Sequence, residues 1–374
     1  MINRKLYQII QEKMFAGKAI IILGARQTGK STLLRQIQQQ TSETTRFLDC
    51  DDPQIRKLLE GQSTPNLSRL VADTRVVFID EAQRVTNIGL SLKQIHDNNP
   101  EIQLIVSGSS SFDLVNEINE PMTGRKWEYQ FFPLSFGELT EHFSLLDEMR
   151  LLETRLVYGS YPDVVNNPGN EKEILKNLTS SYLYKDIFDI KELRKPRLLD
   201  NLLQQLAFQT ASEVSFNELA NALQVNIATV EKYIYLLEQA FIIFRLPSFS
   251  RNIRNELKKS RKIYFYDNGV RNMIVSNFNS VNLRNDVGQL WENYLIAERF
   301  KHIAYNNMYC NRYFWRTTQQ QEIDYIEEHS GKIYAYEMKW NPNKKSRLSK
   351  TFANAYPNHE FQVINRDNYM SFIS

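Results

Sequence analysis

Apolar runs that end abruptly in polar or charged residues recur in the first third of the chain. Residues 19–23, 76–79 and 102–106 are runs of this kind. Strands that are buried on both faces of a parallel sheet have this pattern. The sequence therefore predicts an α/β domain with a parallel sheet over residues 1–140, in which residues 47–52 form a further strand that places its acids at the rim.

The middle of the chain has apolar residues at helical spacing. Leu, Tyr, Lys and Glu dominate residues 140–205, where only a loop near 166–170 interrupts the pattern, and we expect a helical lid. Residues 215–246 have the rhythm of two helices and a strand, which predicts a helix-turn-helix with a wing. The second helix offers few basic side chains, chiefly Lys232 beside Thr229. This region therefore either contacts DNA or packs other domains together.

Residues 322–340 form a strand-like stretch with a turn at 329–332, and three of its charged side chains, Asp324, Glu337 and Lys339, are candidates for chemistry. Side chains of a strand alternate between faces, so Glu337 and Lys339 point the same way, about 7 Å apart. A hairpin would bring Asp324 beside Glu337. This arrangement predicts a hydrolytic centre in which the acids hold Mg²⁺ and the lysine either positions the water or stabilises the phosphorane charge. The alternative is a solvated hairpin in which Lys339 pairs with Glu337.

The most specific motif follows the first apolar run. Gly24-x4-Gly29-Lys30-Ser31 stands between that run and a helical pattern. In this order, backbone N–H groups of a glycine-containing loop converge on phosphate oxygens at the positive end of the next helix. Lys30 would reach the β- and γ-phosphates, and the Ser31 hydroxyl would hold Mg²⁺. The residues predicted to bind ATP are Gly24, Ala25, Arg26, Gln27, Thr28, Gly29, Lys30, Ser31 and Thr32.

Polar residues after two later apolar runs complete this predicted site. Asp80 can orient a metal-bound water, and Glu81 next to it can polarise the attacking water. Ser107, with Ser109 close behind, is placed to contact the γ-phosphate or the attacking water. The Asp-Glu doublet favours hydrolysis over binding alone. Acids at strand ends and Ser-Gly turns also occur without such a role.

Arg125 belongs to a Gly-Arg pair that precedes the next strand. An arginine finger stabilises the charge that develops on a transferred phosphoryl group, and Arg125 is our candidate for this role. The alternative is that Arg125 pairs with a carboxylate at a domain boundary.

Taken together, these motifs resemble a known family. Similar segments occur in the same order in AAA-type P-loop ATPases of bacteria and archaea, whose C-terminal domain of largely unknown function has a restriction-endonuclease-like core. The similar segments are residues 24–32, 76–85, 104–112, 123–139, 158–165, 262–271 and 288–300. The resemblance implies a sensor role for Ser107. It also implies a P-loop AAA-type domain over 1–140, a helical lid and winged-helix-like region over 141–250, and a restriction-endonuclease-like α/β domain over 251–374.

Asp324, followed after 13 residues by Glu337-x-Lys339, resembles the PD-(D/E)xK nuclease superfamily. The resemblance implies that Glu337 and Lys339 are catalytic and that Asp324 and Glu337 hold a metal. That pattern often includes a further glutamate on an upstream helix, and Glu292 is the match, with Glu298 as the alternative. The proline of the pattern is absent before Asp324.

Charge is informative only locally. The 374-residue chain has 46 basic and 43 acidic residues, and its net charge of +3 gives no global argument for nucleic acid. Residues 245–262 hold seven basic residues and one acidic residue, and residues 339–350 hold five basic and no acidic residues. These stretches predict contact with DNA or RNA phosphates, with solvated surface as the alternative.

Cys50 and Cys310 are the only cysteines, and neither has a neighbour at metal-ligand spacing, so a disulfide framework or a zinc site is not expected. No apolar run approaches the roughly 20 residues that cross a bilayer. We expect a cytoplasmic protein that binds ATP and Mg²⁺ and no membrane; homo-oligomerisation stays open. Either the ATPase governs a nuclease-like domain on nucleic acid, or it is a regulatory switch with a catalytically inactive docking module.

Overall fold

The structure, a computed structural model, describes residues 2–109, 118–180, 196–250 and 261–374. These residues fold into two compact units. The N-terminal unit comprises the described residues up to Leu134 together with Gln239–Phe241, and the C-terminal unit comprises Ser135–Ser180, 196–238 and Ile242–Ser374. The division into three domains that the sequence resemblance implies stays a prediction.

A parallel sheet of five strands forms the centre of the N-terminal unit. Its strands are β1 (Ala19–Gly24), β2 (Thr45–Asp49), β3 (Val76–Asp80), β4 (Gln103–Gly108) and β5 (Lys126–Phe131), in the spatial order β2-β3-β4-β1-β5. All four pairings are parallel. Every residue of β1, β3 and β4 is buried, which is why these strands are continuous apolar runs in the sequence. The predicted parallel sheet is confirmed.

Helices precede or connect the strands of this sheet. They are α1 (Lys5–Lys13), α2 (Lys30–Gln40), α3 (Pro53–Leu59), α4 (Thr64–Val71), α5 (Ile88–Asn98) and a 3₁₀ turn at Ala82–Arg84. Leu33, Leu34 and Ile37 recur at helical spacing on the buried side of α2. The parallel arrangement places the carboxyl ends of all five strands at one edge of the sheet, where ligands of open α/β sheets bind.

The first part of the C-terminal unit is helical. Its helices are α6 (Phe136–His142), α7 (Leu145–Arg150), α8 (Leu152–Tyr158), α9 (Pro162–Asn166), α10 (Glu171–Leu178) and α11 (Pro196–Phe208). Ser135 and Glu138 begin α6 with a reciprocal capping box, which satisfies two backbone N–H groups. The loop predicted near residues 166–170 separates α9 from α10.

Two helices and a small antiparallel sheet follow. They are α12 (Phe216–Leu223), α13 (Ile227–Gln239), β6 (Glu213–Val214), β7 (Ile243–Pro247) and β8 (Arg261–Phe265), with the strand order β6-β8-β7. Gln224 ends α12 in the left-handed region, at φ 54°. Two helices, a short turn and a strand therefore stand where the sequence predicts them. A winged helix that contacts DNA stays a prediction.

A mixed four-stranded sheet lies in the C-terminal part of the chain. The elements are α14 (Asn268–Ile274), a 3₁₀ turn at Val281–Leu283, α15 (Val287–Tyr305), β9 (Asn311–Arg316), β10 (Glu322–His329), β11 (Lys332–Met338), α16 (Lys350–Ala355), β12 (His359–Ile364) and α17 (Met370–Ile373). The strand order is β12-β11-β10-β9, and only β11 and β12 are parallel. This separate sheet is an observation, whereas a restriction-endonuclease-like fold stays a prediction.

The hairpin predicted in this sheet is present. Residues His329 and Lys332 pair across a two-residue turn at Ser330 and Gly331, both with positive φ, at 53° and 72°. Positive φ at both central residues is typical of the type I′ turn that suits hairpin twist.

No helix within the described residues is long and apolar enough to cross a membrane.

Candidate nucleotide site and carboxylate cluster

The loop after β1 has the backbone geometry that phosphate binding requires. Gly29, which precedes α2, has φ 97°, a conformation that side chains rarely adopt. A Cβ atom on Gly24 would lie 2.1 Å from the carbonyl oxygen of Phe131 on β5. Both glycines are therefore required by the fold, in addition to any contact with a ligand.

Lys30, the first residue of α2, reaches back into this loop with its side chain. Its ammonium donates to the carbonyl oxygens of Gly24, at 2.9 Å, and of Ala25, at 2.8 Å. Thr28 donates its hydroxyl to the same Ala25 oxygen at 2.7 Å. Lys30 is only 4% exposed, so its positive charge lies within the loop and is shielded from solvent.

Arg4 supports the loop, and nothing in the sequence marks it. Its guanidinium donates to the carbonyl oxygens of Thr28, at 2.6 Å, and of Phe132, at 2.7 Å, and it lies 3.8 Å from the centre of the Phe131 ring. Arg4 therefore joins the phosphate loop to the end of the neighbouring strand β5. A single arginine before the first helix belongs to no motif, and only the folded chain places it here.

Asp80 and Ser107 meet at the carboxyl edge of the sheet. The Ser107 hydroxyl donates to Asp80 Oδ1, which also accepts the backbone N–H of Glu81 at 3.1 Å. Asp80 is 3% exposed and Ser107 is fully buried. In this structure Ser107 therefore orients the carboxylate of Asp80.

Glu81 and Ser109 are linked by Gln83, which the sequence analysis did not single out. Gln83 donates its amide to Glu81 Oε2 at 2.5 Å and accepts the backbone N–H of Ser109 at 3.1 Å. Glu81 itself has φ 54°, and a left-handed conformation costs an ordinary residue roughly 1–2 kcal/mol. Among the described residues the buried Ser109 hydroxyl has no hydrogen-bond partner. The glutamine two positions after the Asp-Glu doublet is the signal that could have identified this link.

Arg125 lies at the other edge of the sheet. Its carbonyl oxygen accepts the N–H of Ala19, the first residue of β1, whereas the phosphate loop follows the last residue of β1. These two ends of the strand are roughly 16 Å apart. The Arg125 guanidinium donates to Asp97 Oδ1 at 2.7 Å, so it pairs with a carboxylate, as the alternative interpretation anticipated. Within one chain the structure does not bring Arg125 to the loop, and an arginine-finger role stays a prediction that only another copy of the chain could meet.

Asp324, Glu337 and Lys339 are brought together by the hairpin of β10 and β11. Asp324 Oδ2 accepts the backbone N–H of Met338 at 2.7 Å and lies 3.9 Å from the Lys339 ammonium. The same ammonium contacts Glu337 Oε1 at 2.8 Å. The predicted proximity and the predicted Lys339–Glu337 pair are therefore both present.

Lys262 joins the same cluster from β8. Its ammonium contacts Glu292 Oε1 at 2.9 Å and Glu322 Oε1 at 2.5 Å, and its side chain is 1% exposed. Tyr264 also donates to Glu292 Oε1, at 2.7 Å. The basic stretch at 245–262 therefore needs correction at this residue, because a buried ammonium that is held by two carboxylates is not placed to follow a phosphate backbone.

Contact of the rest of that stretch with nucleic acid stays a prediction. Arg245 pairs with Glu238, with Nε at 2.6 Å from the carboxylate, and residues 251–260 lie outside the described residues.

Glu298, the alternative to Glu292, lies in a different network. It accepts from the Lys301 ammonium at 2.7 Å and from the backbone N–H of Phe136 at 2.7 Å. Glu292 is thus the glutamate of α15 that reaches the carboxylate cluster.

Electrostatics in the cluster follow from burial and crowding. Burial raises the pKa of Glu292 to about 7, and the charge of Asp324 adds to this shift, whereas Lys262 and Tyr264 oppose it. Burial and Asp324 also raise the pKa of Glu337. Burial acts to lower the pKa of Lys262 and Lys339, but the carboxylates around them outweigh it and raise both values. Both lysines are therefore ammonium ions at neutral pH.

The two predicted metal sites differ in how well their side chains suit a metal ion. Ser31 and Asp80 offer hydroxyl and carboxylate oxygens, the donors that Mg²⁺ prefers. Within the described parts of the chain, no group of three or more His, Cys, Asp or Glu side chains is arranged to hold a metal ion. In the C-terminal cluster, two lysine ammonium groups lie among the carboxylates that the sequence analysis assigns to a metal.

Comparison with known proteins agrees with this geometry. Residues 16–140 match the sequence model of a family described as an AAA domain. Over these residues the chain is similar to an AAA domain. This AAA-like segment is followed by matches to two domains of unknown function, DUF8612 over residues 149–281 and DUF4143 over residues 287–372. These matches carry no evidence for a PD-(D/E)xK nuclease core.

Similarity to known relatives extends beyond the AAA-like segment. An uncharacterised protein of Haemophilus influenzae is 26% identical over 377 residues, which cover 93% of this chain and 90% of the relative. An uncharacterised protein of Mycobacterium tuberculosis is 25% identical over 336 residues, with 88% and 72% covered. A Walker-type ATPase of Pyrococcus abyssi has 15% sequence identity and a TM-score of 0.50, covering 74% of this chain and 96% of that one. That likeness shows a shared fold.

Proposed function

We propose that the protein binds ATP together with Mg²⁺ and hydrolyses it. The observation that carries the proposal is the convergence of three elements at one sheet edge. The phosphate loop follows β1, Asp80 ends β3, and Ser107 comes from β4, which lies between these two strands. The buried Asp80–Ser107 pair faces the same edge as the amino end of α2, whose N–H groups attract phosphate.

Three residues have separate parts in binding Mg²⁺-ATP: Lys30, Ser31 and Asp80. Lys30 exchanges its two loop carbonyls for phosphate oxygens, which form stronger, charge-assisted hydrogen bonds. Ser31 and Asp80 would hold Mg²⁺, which supplies neutralisation of phosphate charge. Ser107 keeps the carboxylate of Asp80 in one orientation.

Glu81 orients the attacking water, and Gln83 positions Glu81. The amide of Gln83 joins the Glu81 carboxylate to the backbone of Ser109. Ser109, with its buried hydroxyl unpartnered among the described residues, is a better candidate than Ser107 for contact with the γ-phosphate. Contact of Ser109 with the γ-phosphate would thus be linked to the Glu81 carboxylate through the side chain of Gln83.

Loss of the Asp80 carboxylate tests hydrolysis directly. We expect Asp80→Asn to lower kcat/KM for Mg²⁺-ATP by about 100-fold, because a metal-orienting charge is lost while the size of the side chain is kept. Phosphate release from the full chain is the measurement. Asp73→Asn, an exposed residue before β3, is the matched control and should match wild type. Equal turnover in wild type and Asp80→Asn would remove Asp80 from the site.

A second candidate function is contact of the C-terminal unit with nucleic acid. The observation that favours it is the stretch 339–350, in which Lys344, Lys345, Arg347 and Lys350 are exposed. Such side chains can neutralise phosphates without reading sequence. Docking of a protein partner on a catalytically inactive C-terminal module is the alternative.

Salt dependence separates these two possibilities. For a duplex DNA probe, the logarithm of the association constant should fall linearly with the logarithm of the salt concentration, with a slope of about −0.9 for each phosphate neutralised. Replacing all four exposed basic residues with glutamine should flatten this slope by about 3–4. Lys57→Gln combined with Lys176→Gln, at two exposed lysines elsewhere, should leave the slope unchanged. Absence of binding, or binding that does not depend on salt, would favour a protein partner.

A further inference from the structure

Four carboxylates and two lysines form one partly buried cluster in the C-terminal unit. Glu292 comes from α15, Glu322 and Asp324 come from β10, and Glu337 comes from β11. Lys262 enters from β8, and Lys339 follows β11. If these acids held a divalent cation, the lysines would lie at the cation's position or beside it.

Every carboxylate of the cluster already accepts a hydrogen bond or an ion pair. Glu292 Oε1 accepts from both Lys262 and Tyr264. Glu322 contacts Lys262, and Glu337 contacts Lys339. Asp324 accepts the backbone N–H of Met338 at 2.7 Å. A metal would have to displace these donors, of which Lys262 and Tyr264 are buried.

Lys262 is the central cation. Its ammonium bridges Glu292 and Glu322, which come from different elements, and the charge of Asp324 also acts on it. A buried ammonium is stabilised only by such partners, and a divalent cation among the same carboxylates would face its repulsion. Arg316, with Nε 3.7 Å from Glu322, adds further positive charge at the rim.

We propose that Lys262 is the resident cation of this cluster, so that the C-terminal domain holds no divalent metal and acts by binding, without metal-dependent phosphodiester cleavage. The ammonium ties α15, β8 and β10 together in the role that a structural cation would otherwise fill. The proposal does not depend on ATP hydrolysis, because it concerns residues of the C-terminal unit alone.

Mn²⁺ binding to nucleotide-free full-length protein tests the proposal, with Asp80→Asn as the parent to remove the metal ligand of the ATPase domain. Binding is followed by electron paramagnetic resonance of free Mn²⁺. We expect that any saturable Mn²⁺ binding by the parent is unaffected by Asp324→Asn. Adding Lys262→Met, which keeps the length and apolar body of the lysine, is expected to create one saturable Mn²⁺ site, with a dissociation constant at least tenfold below that of any residual Mn²⁺ binding by the parent. Adding Asp324→Asn to that double variant should remove the new site.

Two results would overturn the proposal. One is a saturable Mn²⁺ site in the parent that Asp324→Asn abolishes, and this arm requires no change at Lys262. The other is a folded Lys262→Met variant that gains no Mn²⁺ site. Lys262→Gln serves as a second replacement if the methionine variant does not fold. Mn²⁺ should also raise the thermal unfolding temperature of the Lys262 variant and leave that of the parent unchanged, because a ligand that binds only the folded state stabilises it.

Discussion

Replacement of Lys30 with alanine is expected to weaken ATP binding by at least about 100-fold. The ammonium of Lys30 is held by the carbonyl oxygens of Gly24 and Ala25 inside the loop, where a triphosphate offers it stronger partners. Each hydrogen bond to a charged group contributes about 1.5–3 kcal/mol, so losing two accounts for a change of this size. Isothermal titration calorimetry with a non-hydrolysable ATP analogue measures the dissociation constant without turnover.

The control for this experiment must show that the loop itself survives. Lys176→Ala, at an exposed position on α10, removes a lysine of the other unit and should bind nucleotide as wild type does. The thermal unfolding temperature of Lys30→Ala without nucleotide reports whether the loop and sheet remain folded. Normal ATP affinity in a folded Lys30→Ala protein would show that the phosphate site has been assigned wrongly.

The nucleotide loop could be predicted from the sequence because its parts are close together along the chain. The contacts of Lys30 span five and six residues, so the motif alone nearly fixes them. The pairing of Asp80 with Ser107 spans 27 residues, but it follows from a general rule, since residues at the carboxyl ends of parallel strands share one edge. The hairpin turn at Ser330 and Gly331 is also local.

The same rule, applied to Arg125, argues against an arginine finger within one chain. Arg125 comes before β5, so in a parallel sheet it must lie at the edge away from the phosphate loop. A pattern-based assignment weighs the residue type and its neighbours, whereas the edge depends on strand direction. Once β1 and β5 are known to be parallel, the pairing of Arg125 with Asp97 needs no special explanation.

Arg4 and Lys262 could not be predicted because their partners are distant in sequence. Arg4 reaches carbonyl oxygens 24 and 128 residues away, and Lys262 reaches Glu292 30 residues away. Backbone carbonyls have no residue signature, and a lysine inside a basic stretch looks like solvated surface. Glu292, Asp324 and Glu337 of the C-terminal cluster were predictable by motif, but Glu322 was not, and Lys262 comes from another sheet.

Glu81→Gln is expected to lower kcat for ATP hydrolysis by about 100-fold or more and to leave the dissociation constant for ATP nearly unchanged. A positioned general base contributes about 100-fold to 10,000-fold, and glutamine keeps the size of the side chain while losing its basicity. Glutamine can still accept the Gln83 amide with its own carbonyl oxygen, so the geometry of the link to Ser109 is preserved. Single-turnover phosphate release and equilibrium binding separate the two effects.

Gln83→Ala distinguishes a positioned carboxylate from a carboxylate that merely lies nearby. It leaves Glu81 basic but removes the 2.5 Å hydrogen bond to its carboxylate and the acceptor of the Ser109 N–H, so we expect a smaller fall in kcat, about tenfold, a value typical of lost orientation. Glu60→Gln, at an exposed position after α3, should have no effect.

If Glu81→Gln and Glu60→Gln hydrolysed ATP equally fast, Glu81 would not be the water-orienting group, and hydrolysis would depend on the residues around Asp80 alone.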